Sequence, residues 1–163
     1  LSATGRKQIR LTGSVFRHRI FPFSNSNTAE TDSGLDLSKD EIVTDVLVEV
    51  VTNVAASSIE VGLLSSETGG DLDGFADIVS CAATGFIRPA ASGNNGTNID
   101  FINAVTRGVL LATFLNGSDA VASPGYYIEK PHRGDGVAKS IVYTTTNHTI
   151  AGYVHVFSML AKG

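Results

Sequence analysis

Tryptophan is absent from the 163 residues, methionine and cysteine occur once each, and proline only four times. The lone Cys81 excludes an internal disulfide and a thiolate zinc cage, both of which need more than one sulfur; among small apolar neighbours it reads as a buried small hydrophobe. Charged residues make up 17% of the chain. Surface helices draw heavily on Glu, Lys and Arg, so this shortage argues for strands and turns. No apolar run approaches the ~18 residues a membrane-spanning helix needs, and the basic, polar start holds no signal-peptide core. The sequence contains no GxSxG, GxxxxGK[ST] or HExxH string, so the usual nucleophile, phosphate and zinc signatures are missing. Its four histidines, His18, His132, His148 and His155, show no HxH spacing; His155 alternates with Val154 and Val156 and is expected on an outer sheet face. No fixed-period repeat points to a solenoid or propeller.

What is present is strand grammar. Val46, Val48 and Val50 recur at every second position, as do Ile59, Val61 and Leu63. Period two gives each strand one apolar face to bury. The small polar segment 52–57 between them reads as the turn of a hairpin. Gln8–Phe16 reads as a first strand with Gly13 at a bulge, and Pro22 bars His18–Phe23 from a central position. Residues 24–39 read as a polar loop serving as crossover, arm or binding loop. Residues 75–83 fit either a helical turn or a short strand, residues 85–89 a short strand, and 90–98 an exposed loop. The apolar run 107–115 before Asn116-Gly117 reads as a central strand buried on both faces, and 125–130 as a short amphipathic strand. Residues 140–146 and 150–160 read as a terminal hairpin, with a bulge at Gly152 and with Val154, Val156 and Met159 packing inward. The expectation is an all-β chain: a single antiparallel β-sandwich, a jelly roll of about eight strands, with an N-terminal arm and long loops. Residues 1–39 form the arm with its first strand and polar loop, and 40–163 the sandwich body, one domain overall.

Charge is divided unevenly. Arg6, Lys7, Arg10, Arg17 and Arg19 precede the first acid, Glu30, which leaves sixteen acids against the other seven of the twelve bases. These bases suit either a protein contact or a solvated edge strand, where they discourage unwanted pairing. Nucleic acid is disfavoured, because the body is acidic and no aromatics interleave with the bases for stacking. In the loop 67–77, Asp71 and Asp73 precede Gly74 like the opening of a calcium loop. The position where a bidentate Glu would close that loop is Ala82, and turn capping is the simpler reading. The Arg133-Gly134-Asp135 tripeptide and the Asn95, Asn116 and Asn147 sequons are too short to carry weight.

The run TDVLVEVVTN…SSIEVGLLSSETGGDLDGFADIVSCAATG, with its valine-rich strand, VGLLSSE strand end and GGDxDGF loop, resembles a segment of the decoration, or cement, proteins of tailed bacteriophage capsids. GYVHVFSML resembles a terminal strand of the same proteins. The resemblance implies a jelly-roll virion protein on the capsid exterior that bridges major capsid protein subunits. It further implies a homo-oligomer, trimer favoured over dimer, with no enzymatic activity, no cofactor, no nucleic acid and no membrane. The basic residues Arg6, Lys7, Arg10, Arg17 and Arg19 would then meet the shell or a sister subunit. The rival class is a phage tail, fibre or other β-sandwich adhesin or carbohydrate-binding module, for which Tyr126 and Tyr127 are the only adjacent tyrosines.

Overall fold

The computed structural model describes residues 15–24, 29–89, 107–115, 126–146 and 149–160. Gly13, the loop 90–98, the three sequon asparagines and His148 lie outside them, as do Arg6, Lys7 and Arg10. The described residues contain strands and no helix: β1 (Val15–Ser24), β2 (Thr31–Leu37), β3 (Glu41–Thr52), β4 (Ser58–Leu63), β5 (Ala76–Ser80), β6 (Gly85–Ile87), β7 (Ala112–Leu115), β8 (Tyr126–Glu129), β9 (His132–Arg133), β10 (Lys139–Thr145) and β11 (Ala151–Leu160). One sheet runs β1-β11-β3-β6, with β9 also on β3; the second runs β2-β10-β4-β5. A small third sheet pairs β7 with β8.

This order is that of a jelly roll. β1 pairs with β11 and β2 with β10, and β3 with β6 and β4 with β5 nest inside them, all antiparallel. A long antiparallel ribbon has been folded over so that successive ribbon segments alternate between sheets. The expected eight-stranded sandwich is therefore the architecture found. The inward residues of the two sheets meet in one core: Val46, Val48 and Val50 from β3, Ile59, Val61 and Leu63 from β4, Phe21 and Phe23 from β1, Ile141 from β10, Val154 and Val156 from β11. Burying each phenylalanine contributes ~1.5–3 kcal/mol. Cys81 is buried there too, and burial pushes its thiol up to about 11.

Two expected hairpins do not form. β3 and β4 lie in different sheets, as do β10 and β11, so 52–57 passes from one layer to the other and β10 and β11 are not hairpin partners. Alternation fixes which face of a strand is buried but not its lateral neighbour. Strands packed face to face across a core show the same pattern as strands paired edge to edge. Residues 24–39 are not all loop: β2 lies within them, at the edge of the second sheet beside β10. An edge strand exposes one face and has one neighbour, so it can be polar; here Asp32 and Ser33 accept the amides of Gly34 and Leu35 at 2.8 and 3.1 Å.

The run 107–115 is not a central strand. Arg107 forms an isolated bridge to Ala76, residues 109–111 turn, and β7 belongs to the peripheral two-stranded sheet. The run is apolar because Leu111 plugs the core. Residues 76–80 take the strand form, with Ile78 at φ 46° beside an irregularity between Ile59 and Val61. Pro22 sits in an edge strand, as its missing amide requires. The bulge at Gly152 is present, and a Cβ there would lie 1.9 Å from the Glu49 carbonyl oxygen. Plain alternation from Val154 and Val156 puts Ser158 inward and leaves Met159 half-exposed rather than packing in, while a second register shift falls opposite it on β3, at Thr44.

Candidate functional site

The basic residues of β1 are the first candidates. Arg17 and Arg19 pair with Ser158 and Val156 of β11, while Phe16, His18 and Ile20 between them are exposed. Both guanidiniums converge on Glu41, which opens β3 and is 1% exposed. Arg19 Nη2 donates to Glu41 Oε1 at 2.6 Å and its Nη1 to the Asp36 carbonyl at 2.7 Å. Arg17 Nη1 stands 3.8 Å from Oε2, the Ser38 amide donates to Oε2 at 3.0 Å, and the Ser158 hydroxyl donates to Oε1. The structure thus joins two of the five expected contact residues around a buried acid. Nothing in the spacing of the sequence marks Glu41, because the pairing arises from sheet register.

The acidic loop between β4 and β5 folds back over the outer face of β4. Leu63 and Asp71 exchange backbone hydrogen bonds at 2.7 and 3.2 Å, and Phe75 donates to the Val61 carbonyl. Gly62 is required beneath it, since a Cβ there would sit 2.0 Å from the Asp71 carbonyl oxygen. Glu67 accepts the Ser140 amide and hydroxyl, Glu30 accepts those of Ser65, and Lys139 binds the Thr68 carbonyl and Asp135. Burial, then a hydrogen bond from Asp71 to Asp73 and the Asp73 charge, push Asp71 up to about 6. Asp77 is raised by burial and by the charges of Asp73 and Glu60. The Asp71 carbonyl oxygen, a ligand type calcium favours, is taken by the Leu63 and Gly74 amides. Among the described residues no group of three or more His, Cys, Asp or Glu is arranged to hold a metal ion.

A third feature went unnoticed in the sequence. On the outer face of the first sheet, β1 places Phe16, His18, Ile20 and Pro22 opposite β11 residues Met159, Phe157, His155 and Tyr153. Leu47 and Glu49 of β3 continue the row, and Phe86 of β6 lies beside Glu49. Glu49 Oε2 accepts His155 Nε2–H at 3.0 Å, which leaves Nδ1 free to accept His18 Nε2–H at 2.9 Å. The two imidazoles are nearly coplanar, 19° apart, and His18 stacks on Phe157 with centroids 4.5 Å apart. His18 and His155 are separated by 137 residues, so no sequence spacing announces them.

The remaining polar clusters join elements. Arg107, nearly fully buried, reaches Asp45 at 2.9 Å and the Leu111 carbonyl at 3.2 Å. Arg88 bonds Asp45 at 2.7 Å and grips both Glu129 oxygens at 3.0 and 2.8 Å. That grip holds the Glu129 carboxyl below its usual range. The cluster ties β6, β3 and β8 together. His132 sits edge-on to Phe75, and burial lowers its pKa. Asp135 of the Arg133-Gly134-Asp135 tripeptide accepts the Val137 amide and pairs with Lys139 at 3.1 Å. A polar cavity of about 190 Å³ lies between Ser58, Glu60 and Thr144–Thr146, and an apolar one of about 200 Å³ is bounded by Pro22, Val51, Gly152 and Tyr153.

The chain matches no family model and no curated protein sequence. It is similar to a chain in a solved structure described as the acidic stable capsid structure of Helicobacter pylori bacteriophage KHP30. That likeness covers 91% of this chain and 93% of the other, with a TM-score of 0.46 and 16% sequence identity.

Proposed function

We propose that this chain is a non-enzymatic virion structural protein that binds the outer surface of a phage capsid and bridges neighbouring major capsid protein subunits. The reading is supported chiefly by one observation: the segment that resembles decoration proteins, residues 44–83, forms the framework of a jelly roll. It supplies β3 to one sheet and β4 and β5 to the other. Its glycine–aspartate loop is held to the sheet by backbone bonds of Leu63 with Asp71 and of Phe75 with Val61. Such a body is rigid, and rigidity suits a brace, since few residues need to be ordered at about 1–2 kcal/mol each when it docks. The basic residues Arg6, Lys7 and Arg10 form the proposed contact with acidic patches of the shell, while Arg17 and Arg19 face inward and are engaged by Glu41. A homo-oligomer, trimer or dimer, would engage several capsid subunits at once and gain avidity from modest single contacts.

The test is co-sedimentation of the purified chain with empty shells, together with the melting temperature of the shells. Saturable binding that raises shell melting, and that weakens when Arg6, Lys7 and Arg10 are reversed to Glu, is the expected result. A chain indifferent to shells but retained on a glycan array would sink the proposal in favour of a carbohydrate-binding module.

A further inference from the structure

The outer face of the β1-β11-β3-β6 sheet carries most of the large apolar side chains that the described residues expose. Phe16 is 77% exposed and Phe86 67%, and Ile20, Val51 and Tyr153 share the same face. Contiguous apolar patches beyond a few hundred Å² are unusual on a monomer and mark interaction sites.

Three observations identify the occupant as a second copy. The first is shape. Phe16 projects at one end of β1, and the apolar cavity of about 200 Å³, bounded by Pro22, Val51 and Tyr153, lies at the other end of the same strand. Knob and hole are six residues apart, roughly 20 Å at a strand's rise. A two-fold axis crossing the strands between them, near Arg19 and Ile20, places each copy's Phe16 over the other's cavity at once. Such a contact is isologous and closed.

The second is charge. The chain is acidic overall, with sixteen acids against twelve bases, so copies repel one another in general. On this face Asp45 is paired with Arg88 and Arg107, Glu129 with Arg88, and Glu49 accepts a hydrogen bond from His155. Two such faces bring together few free charges, Glu49 being the one acid of the row without a fixed cation beside it, and so offer little to an oppositely charged partner. The third is area. Three strands about 4.8 Å apart and about ten residues long at about 3.3 Å each, with the three residues of β6 beside them, give roughly 500 Å² per copy. Two copies together reach about 1,000 Å², the least that a biological interface should clear.

We infer that this sheet face is the contact between two copies of the chain, a two-fold dimer built by inserting Phe16 into the partner's Pro22–Val51–Tyr153 cavity. The inference deepens the oligomer in the proposed function and rests on that reading only for its biological use.

The experiment is light scattering of the full chain over a wide concentration range, with variants Phe16→Glu (knob), Val51→Lys (hole) and Val137→Glu, an exposed position on the loop before β10. Wild type and Val137→Glu are expected at twice the single-chain mass, and the two face variants at the single-chain mass with unchanged circular dichroism. A second measurement does not depend on destabilising variants. The double variant Phe16→Cys/Val51→Cys, whose two sites are too far apart to bridge within one chain, should give a covalent dimer on mild oxidation, while neither single variant gives the same bridge. A wild-type monomer at all concentrations, a trimer, or a dimer that survives both face substitutions would overturn the inference. The shell assay separates the two ideas: a monomeric Phe16→Glu chain that still binds shells leaves the capsid reading standing, and a wild-type dimer indifferent to shells leaves only the dimer.

Discussion

Glu41 is the residue whose removal should cost the fold most for the fewest atoms. It is 1% exposed and accepts from Arg19, from the Ser158 hydroxyl and from the Ser38 amide, with Arg17 at 3.8 Å. Glu41→Ala leaves a hydroxyl and an amide unpartnered beside two guanidiniums without their counter-charge. Breaking a buried ion pair by deleting one partner costs about 3–5 kcal/mol. Arg19 retains the Asp36 carbonyl and some access to water, which argues for the lower end, about 3 kcal/mol. In a chain of this length that amounts to a fall of roughly 6–12 °C in melting temperature. Glu41→Gln keeps the shape and one acceptor and should lose about half as much. The assay is urea unfolding, read as a lower midpoint at unchanged slope. The double change Glu41→Leu/Arg19→Met should recover much of the loss, because two apolar residues leave no buried charge unpaired. Were Glu41→Ala to unfold within 0.5 kcal/mol of wild type, or the double change to be merely additive, the picture of Glu41 as the tie between β1 and β3 would be wrong.

Three further outcomes follow from the same geometry. Gly152→Ala drives a Cβ to 1.9 Å from the Glu49 carbonyl oxygen and to within 3 Å of the Phe23 ring, so the urea midpoint should fall by the equivalent of about 2–3 kcal/mol. Asp71 is pushed up to about 6 from 3.8, so the folded chain holds this proton more tightly than the unfolded one, and the contribution to stability is lost as pH rises from about 4 to about 6. Asp71→Asn keeps the donor without the charge; it should melt higher than wild type at pH 8, by no more than about 1 kcal/mol because the site is half-exposed, and equal to it near pH 3.5. Asp45→Ala removes the acid that Arg107 and Arg88 share; hydrogen exchange should accelerate in 112–115 and 126–129 ahead of the two main sheets, and uniform acceleration throughout would show that the cluster is not a local clamp.

The parts of this fold that were legible in the sequence are those a single strand decides by itself. Val46, Val48 and Val50 must share a face, Pro22 must lie where its missing amide is not needed, and Gly152 marks a bulge. What was not legible is decided between strands. Alternation assigns β3 and β4 a buried face, yet it is identical whether they pair or stack, so a crossover reads as a hairpin. β2 escaped notice because an edge strand has little apolar surface to declare, and 107–115 misled because Leu110 and Leu111 pack on the core from a turn. The candidate surfaces follow the same rule. Arg17 and Arg19 were visible as charges, but Glu41, which orients them, is brought in by register. The coplanar His18–His155 pair and the row from Phe16 to Phe86 are assembled from four strands of one sheet, β1 and β11 giving four outward residues each and β3 and β6 the rest, none of which is out of the ordinary singly in sequence. A surface of this kind has no motif; its signature is that outward positions of a strand are apolar where solvent predicts polar. Phe16 and Ile20 on β1, in step with inward-facing Arg17 and Arg19, show that inversion most clearly: the apolar side chains face out and the charged ones face in. The inferred two-fold dimer would cover that outward apolar row, which the sandwich itself leaves exposed.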